Sequence, residues 1–203
     1  GFNVELLDFR DKVGEIPLAR FYGFSCTTPQ INTAKKLAKQ VKGKTIIGGA
    51  HPSLLPNDCK DFDYIVKGEG EEVILDILFG KRPEGIIEAP RIKNLDTIPL
   101  PAWDSVGEPF SKTLYTGERY GQSDLSMAVI ISRGCPWSCS FCGNIYHLTK
   151  FRSVDNIIRE IMALMSRDVS HFRFVDDNFT LHPQFIELCK RLVPFDIHYR
   201  CHT

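Results

Sequence analysis

Short apolar runs alternate with amphipathic stretches along the first 80 residues. Apolar or alternating runs predict strands at residues 3–8, 20–25, 45–47 and 63–66. Helical spacing of apolar residues predicts one helix that begins at Thr28-Pro29 and ends before Gly43, and a second over residues 71–79. Strands that alternate with helices predict a parallel, doubly wound α/β sheet, whose ligands bind at the carboxyl ends of the strands.

A second series of strands and helices begins at Met127. Strands are predicted at residues 128–132, 172–175 and 197–200, and the helices between them begin near Ser153 and Pro183. The intervening residues 81–126 carry one or two short strands at 81–93, two prolines that favour an extended path, and a polar surface loop at 117–124. The pattern therefore predicts two α/β domains, residues 1–80 and 127–203, joined by a linker over residues 81–126.

Composition narrows the functional class only slightly. The chain has 203 residues, 43% of them apolar, and 25 basic residues balance 25 acidic ones. A net charge of zero argues against a nucleic-acid partner or an anionic membrane surface. No apolar run is long enough to span a membrane, and no targeting segment opens the chain, so a cytoplasmic protein is expected.

Three of the seven cysteines fall within eight residues, at Cys135, Cys139 and Cys142, directly after the predicted strand at 128–132. Three thiolates on one short loop are a ligand set for a soft metal or an iron–sulfur cluster. Zinc would need a fourth ligand, and no second pair with zinc-knuckle spacing exists. The candidates for that ligand are His147, Cys189 and Cys201. Inert thiols are the third alternative, while the odd count argues against disulfides.

The segment Arg-Gly-Cys-Pro-Trp-Ser-Cys-Ser-Phe-Cys at residues 133–142 resembles the cluster loop of radical S-adenosylmethionine (SAM) enzymes. In that superfamily the three cysteines hold a [4Fe–4S] cluster, whose open iron binds SAM and whose electron cleaves it to methionine and a 5′-deoxyadenosyl radical. The resemblance implies that Cys135, Cys139 and Cys142 are the cluster ligands and that Phe141 and Gly143 lie beside SAM. Asp176 and Asp177, after the second strand of this domain, resemble the acidic stretch that holds the SAM ammonium; a turn or capping role for one of them is the alternative.

Three strand-end loops, at residues 25–28, 48–52 and 68–71, resemble those of the cobalamin-binding domain that precedes the radical core in one class of these enzymes. A Gly-Gly-x-His-Pro stretch and a Gly-Glu-Gly-Glu stretch lie about twenty residues apart, as in that class. Plain turn chemistry is the alternative. The implied cobalamin contacts are Ser25, Thr27, Thr28, Gly48, Gly49, His51, Gly68, Glu69 and Gly70. His51 is expected to be a packing or nucleotide-tail contact and not the cobalt ligand.

The resemblance implies a Rossmann-like cobalamin-binding domain that lacks its first strand, followed by the first half of a partial (β/α)6 barrel. A longer chain or a second chain is expected to complete the barrel. The implied reaction is reductive SAM cleavage coupled to methyl transfer from methylcobalamin to an unreactive carbon of a small molecule, with a reductant such as flavodoxin or ferredoxin. A radical SAM enzyme that cyclises or rearranges its substrate without cobalamin, and a non-catalytic metal-binding fragment, are the alternatives. No catalytic side chain is assigned.

Overall fold

A computed structural model describes residues 2–7, 14–103 and 126–203. The described residues form two compact units. The N-terminal unit comprises residues 14–93. The C-terminal unit comprises residues 94–103 and 126–203, and residues 2–6 belong to this unit as well. The surface loop predicted at 117–124 lies outside the described residues.

The N-terminal unit is built on a parallel sheet of four strands in the order β1-β2-β3-β4. The strands are β1 Phe21–Ser25, β2 Lys44–Gly48, β3 Tyr64–Lys67 and β4 Gly85–Glu88. The helices are α1 Ile31–Ala38, α2 Ala50–Leu54 and α3 Ile74–Leu78. Neighbouring residues of β2 point to opposite faces, as strand geometry requires: Ile47 packs with Ile31 of α1, and Ile46 packs with Ile77 of α3. Helices cover both faces, which confirms the predicted doubly wound fold.

Three local predictions differ from the structure. Residues 3–7 form no strand, since alternation alone does not make a strand without a neighbour to pair with; Asp8 lies outside the described residues. The first helix opens with a 3-10 turn, Thr28–Gln30, and its cap is Thr27, whose amide donates to Gln30 Oε1 at 2.9 Å. The predicted helix at 71–79 is reduced to α3, because residues 70–73 form a turn.

The C-terminal unit contains a parallel sheet of three strands and a separate two-stranded antiparallel ribbon. The sheet consists of β5 Ser126–Val129, β8 His171–Phe174 and β9 His198–Arg200, in that order, and the ribbon of β6 Ser132–Arg133 and β7 Lys150–Phe151. The helices are α4 Val154–Met165 and α5 Phe185–Leu192. The predicted strand at 128–132 is split, because the chain leaves β8 after Val129 and pairs with β7 from Ser132 onward.

One apolar core fills this unit. Ile161 of α4, Phe174 of β8 and Leu188 of α5 are all fully buried in it. Within the described ranges, no helix is both long enough and apolar enough to cross a membrane.

Candidate functional site

The three clustered cysteines lie on one loop, residues 134–149, which connects β6 to β7. The antiparallel pairing of Ser132 with Phe151 and of Arg133 with Lys150 closes the loop at its base. All three cysteines are free; Cys135 is half-buried and the other two are exposed. The fold therefore presents the three thiols on a single closed loop beyond the carboxyl end of β5.

Backbone and amide contacts shape this loop internally. Cys142 N donates to Cys139 O at 2.9 Å, and Asn144 Nδ2 donates to Cys135 O at 2.6 Å. Gly134 has φ of +93°, a conformation that favours glycine, which explains the Arg-Gly-Cys start of the loop. The sequence analysis did not identify Asn144 as a residue that shapes the loop. The feature that could have indicated this role is its short polar side chain, which suits turns.

Three free thiols on one loop are chemically suited to bind an iron–sulfur cluster, but their side chains are not yet grouped around one point. Across residues 2–7, 14–103 and 126–203, no group of three or more His, Cys, Asp or Glu side chains is arranged to hold a metal ion. Of the candidate fourth zinc ligands, His147 is exposed on the loop, while Cys189 and Cys201 pack against the apolar core. Phe141 and Trp137 expose 91% and 58% of their surfaces on the same loop, as expected where a ligand covers aromatic side chains.

The two predicted SAM carboxylates differ in exposure. Asp176 is buried, and its carboxylate accepts hydrogen bonds from Ile131 N at 3.1 Å, from Ser132 N at 2.5 Å and from Ser132 Oγ at 2.7 Å. Burial raises the pKa of the Asp176 carboxyl, while these hydrogen bonds act to lower it. The Asp176 carboxylate is thus engaged by the backbone before the cysteine loop, which argues against its predicted contact with SAM, and of the two carboxylates only Asp177 is exposed.

Arg152 follows the cysteine loop and is a structural residue. Its guanidinium donates to Ile130 O at 2.7 Å and to Asn156 Oδ1 at 2.6 Å, and it pairs with Glu160. Only 3% of the Glu160 side chain is exposed. The sequence analysis missed Asn156 and Glu160 as partners of Arg152. Their signal was two polar residues, four positions apart, on the apolar face of α4.

The three strand-end loops of the N-terminal unit lie at the carboxyl ends of neighbouring strands and contact each other. Cys26 N donates to Gly48 O at 3.0 Å. A Cβ at Gly49 would lie 2.9 Å from Cys26 O, so only glycine allows this approach. Ser53, which the sequence reasoning missed, joins the second loop to the third: its Oγ donates to Gly49 O at 2.7 Å and accepts from Gly68 N at 3.1 Å.

Two predicted cobalamin contacts of these loops are turned inward. His51 is 2% exposed; its Nδ1 lies 3.1 Å from Thr28 Oγ1 and its Nε2 lies 2.9 Å from Asp58 Oδ2. Both ring nitrogens are therefore engaged within the unit, which agrees with a packing role, and the contact of His51 with cobalamin stays a prediction. Glu69 is also buried, and its Oε2 accepts from Ile92 N at 2.5 Å, so it holds the chain beyond β4.

The other predicted cobalamin contacts remain at the surface of the strand-end cradle, by which we mean the loops 25–28, 48–52 and 68–71. Their exposed residues and glycine backbones can approach a ligand. Exposed members are Ser25, Thr27 and Thr28, and half-buried members are Gly48, Gly49, Gly68 and Gly70.

Comparison with known families matches each unit separately. The Radical SAM superfamily matches residues 129–203, and the B12 binding domain matches residues 1–78. These matches confirm the predicted family and the cofactors that it uses, namely a [4Fe–4S] cluster, SAM and cobalamin.

Relatives and solved structures extend this likeness over most of the chain. An uncharacterised methyltransferase of Pyrococcus horikoshii is 31% identical over 178 residues, which is 74% of this chain and 37% of the relative. The anaerobic magnesium-protoporphyrin IX monomethyl ester cyclase of Rubrivivax gelatinosus is 29% identical over 86% of this chain and 37% of its own length. The chain thus spans little more than a third of either relative.

The fold is similar to that of TsrM, a radical S-adenosylmethionine methyltransferase from Kitasatospora setae solved with cobalamin and a [4Fe–4S] cluster bound. The TM-score is 0.59 at 14% identity, over 88% of this chain and 41% of TsrM. The likeness confirms the predicted fold class. Residues 129–203 of the chain belong to the radical SAM superfamily, and residues 1–78 form a B12 binding domain.

Proposed function

We propose that the chain holds a [4Fe–4S] cluster through Cys135, Cys139 and Cys142 and takes part in cobalamin-dependent methylation of an unactivated carbon in a small molecule. The observation that carries this proposal is the single closed loop with three free thiols, in a chain that also has a B12 binding domain. When bound, the cluster supplies the electron that cleaves SAM, and cobalamin carries the methyl group.

On the cluster side, the accessible groups of the chain would orient SAM. Asp177 is exposed immediately after Asp176, whose carboxylate is fixed to the start of the cysteine loop. An exposed carboxylate held there would pair with the SAM ammonium. Phe141 would cover the adenine with its exposed ring, and the backbone of Gly143 would lie beside SAM.

On the cobalamin side, the strand-end cradle would bind through its hydroxyls and glycine backbones. Ser25, Thr27 and Thr28 are exposed residues that carry hydroxyls, of which those of Thr27 and Thr28 already bond Gln30 Oε1 and His51 Nδ1. The glycines of the second and third loops allow close approach. Because both nitrogens of His51 already have partners, cobalamin would bind without a cobalt ligand from this histidine.

A second candidate is cyclisation or rearrangement, with or without cobalamin, and the 29% identity to a cyclase supports it. Visible absorbance of the purified protein would show whether cobalamin is retained. Methylation predicts S-adenosylhomocysteine among the SAM products, whereas cyclisation predicts its absence. A fragment without catalytic function would give neither product.

We also propose that the protein works in the cytoplasm with a flavodoxin- or ferredoxin-like reductant. The seven cysteines are all free, as is usual where thiols are kept reduced. Incubation of the loaded protein with each reductant, followed by measurement of the cluster's reduced spectrum, would test this.

Anaerobic reconstitution with iron and sulfide tests the cluster assignment. The wild-type chain is expected to take up about four irons, and the triple variant Cys135→Ala, Cys139→Ala, Cys142→Ala to lose them. Cys201→Ala, a half-buried cysteine outside the loop, is the matched control and should load normally. Wild-type iron content in the triple variant would overturn the proposal.

A further inference from the structure

Two charged side chains, Asp176 and Arg152, hold residues 130–132, which lead from β5 into β6. The buried Asp176 carboxylate accepts hydrogen bonds from the N–H groups of Ile131 and Ser132 and from the hydroxyl of Ser132. The half-buried Arg152 guanidinium donates to Ile130 O. The segment is therefore fixed through both its donors and its acceptors.

The same segment also receives the far end of the cysteine loop. Arg152 directly follows β7, and its backbone N–H donates to Ile131 O at 2.9 Å. Ser132 lies three residues before Cys135 and pairs with Phe151. Both ends of the loop that carries the three thiols are thus attached to one anchored segment.

Neighbouring groups compensate the charges of both Arg152 and Asp176. Arg152 has 12% of its side chain exposed, and its ion pair with Glu160 keeps its charge compensated in the interior. Among the residues that the structure describes, Asp176 forms no ion pair, and amide and hydroxyl donors compensate its charge. Hydrogen bonds to an ionised acceptor are stronger than neutral ones, so this carboxylate can fix backbone geometry.

We propose that Asp176 and Arg152 are positioning residues for the cluster: they hold both ends of the cysteine loop so that its thiols bind one cluster in a fixed orientation. This inference rests on the proposed cluster site. It gives Asp176 a role through Ser132 and the loop, separate from any contact with SAM.

Asp176→Asn is the discriminating variant. Asparagine keeps the shape of the side chain and one oxygen that can still accept from Ile131 and Ser132, but it removes the negative charge that strengthens these bonds and places an NH₂ donor where Oδ2 faces Ile131 N. Asp196→Asn is the matched control, because Asp196 is an exposed aspartate of the same unit. Ser132→Ala is a milder second variant that removes one hydrogen bond to Asp176.

The measurements are iron and sulfide content, the electron paramagnetic resonance spectrum of the reduced cluster, and the rate of iron loss to a chelator. For Asp176→Asn we expect iron loss about ten- to a hundredfold faster than in the wild type, as for other groups that orient metal ligands. We also expect an altered spectrum, a smaller change in the same direction for Ser132→Ala, and none for Asp196→Asn. Wild-type chelator resistance and spectrum in both Asp176→Asn and Ser132→Ala would overturn the inference.

Hydrogen exchange of the cluster-free chain separates this inference from the proposed function. If the wild type takes up no cluster, the proposed function fails. Faster amide exchange confined to residues 130–152 in Asp176→Asn or Ser132→Ala would still support the anchor. Unchanged exchange in that segment would refute it, whatever the cluster content.

Discussion

At the scale of single residues, Gly49 combines an unusual backbone conformation with a close contact. Its φ is +100°, and a Cβ would lie 2.9 Å from Cys26 O and 3.0 Å from Cys26 N. Gly49→Ala is therefore expected to lower the free energy of unfolding by more than the roughly 1–3 kcal/mol of backbone strain alone. Gly80→Ala is the matched control, since Gly80 has φ of +70° but no atom within 4 Å of the added Cβ. Equal losses in urea unfolding would contradict this explanation.

Asp58 predicts a pH dependence of the N-terminal unit. Hydrogen bonds from Lys35 and His51 lower the pKa of its carboxyl below the usual value of 3.8. A lowered pKa in the folded state contributes stability that is present above the unfolded value and is lost as the pH falls through the folded one. The difference in stability between wild type and Asp58→Asn should therefore shrink as the pH falls below about 4.

Urea unfolding at a series of pH values measures this difference. Asp61→Asn is the control, because Asp61 lies 4.0 Å from Lys35, farther than Asp58 at 2.8 Å. A constant difference between wild type and Asp58→Asn down to low pH would show that the two interactions with Asp58 do not depend on its charge.

The sequence predicted which residues lie on the strand-end and cysteine loops better than it predicted the direction of their side chains. Spacing identified the three cysteines, and the loop that carries them is present as expected. The burial of the Asp176 side chain was missed because both carboxylates were assigned to SAM from their residue type alone. Strand alternation carried the needed signal: Phe172, Phe174 and Asp176 are buried, while Arg173, Val175 and Asp177 are exposed.

At the scale of elements, the start of α4 depends on a single serine cap. Ser153 Oγ accepts from Asn156 N at 3.1 Å, as the sequence predicted. Ser153→Ala should cost about 1 kcal/mol of stability, the usual value of such a cap. Ser166→Ala, at the other end of α4, should change stability by less than about 0.5 kcal/mol, because that serine is exposed. Thermal unfolding of both variants would measure the difference, and equal effects would contradict it.

Substitutions on the buried face of α4 should destabilise the C-terminal unit far more than substitutions on its exposed face. Ile161 is 0% exposed in the core, while the next residue, Met162, is 54% exposed. Ile161→Ala should destabilise the C-terminal unit by about 2–5 kcal/mol, because it leaves a cavity. Met162→Ala should be nearly neutral. Chemical denaturation monitored by circular dichroism would test this, and similar losses for both variants would show that α4 packs differently.

Strands and helices with clear periods were predicted, whereas elements defined by their partners were not. The periods of α4 and of the buried strands β2 and β3 are local properties of the sequence. The split between β5 and β6 depends on β7, which lies about twenty residues further along the chain. The absence of a strand at residues 3–7 likewise depends on pairing, which local alternation does not encode.

At the scale of the whole molecule, each proposed cofactor site is built within one unit. The strand-end cradle belongs entirely to the N-terminal unit, and the cysteine loop belongs to the C-terminal unit. Each unit also has its own apolar core. We therefore expect the binding of cobalamin and the binding of the cluster to be separable by mutation.

Two variants test this separation. The triple cysteine-to-alanine variant should lose iron yet retain the visible absorbance of cobalamin. Gly70→Leu should do the reverse: a Cβ at Gly70 makes only an ordinary contact, 3.7 Å from Val66 Cγ1, so the larger side chain is expected to obstruct the cradle without unfolding it. Loss of both cofactors in either correctly folded variant would show that the two sites depend on each other.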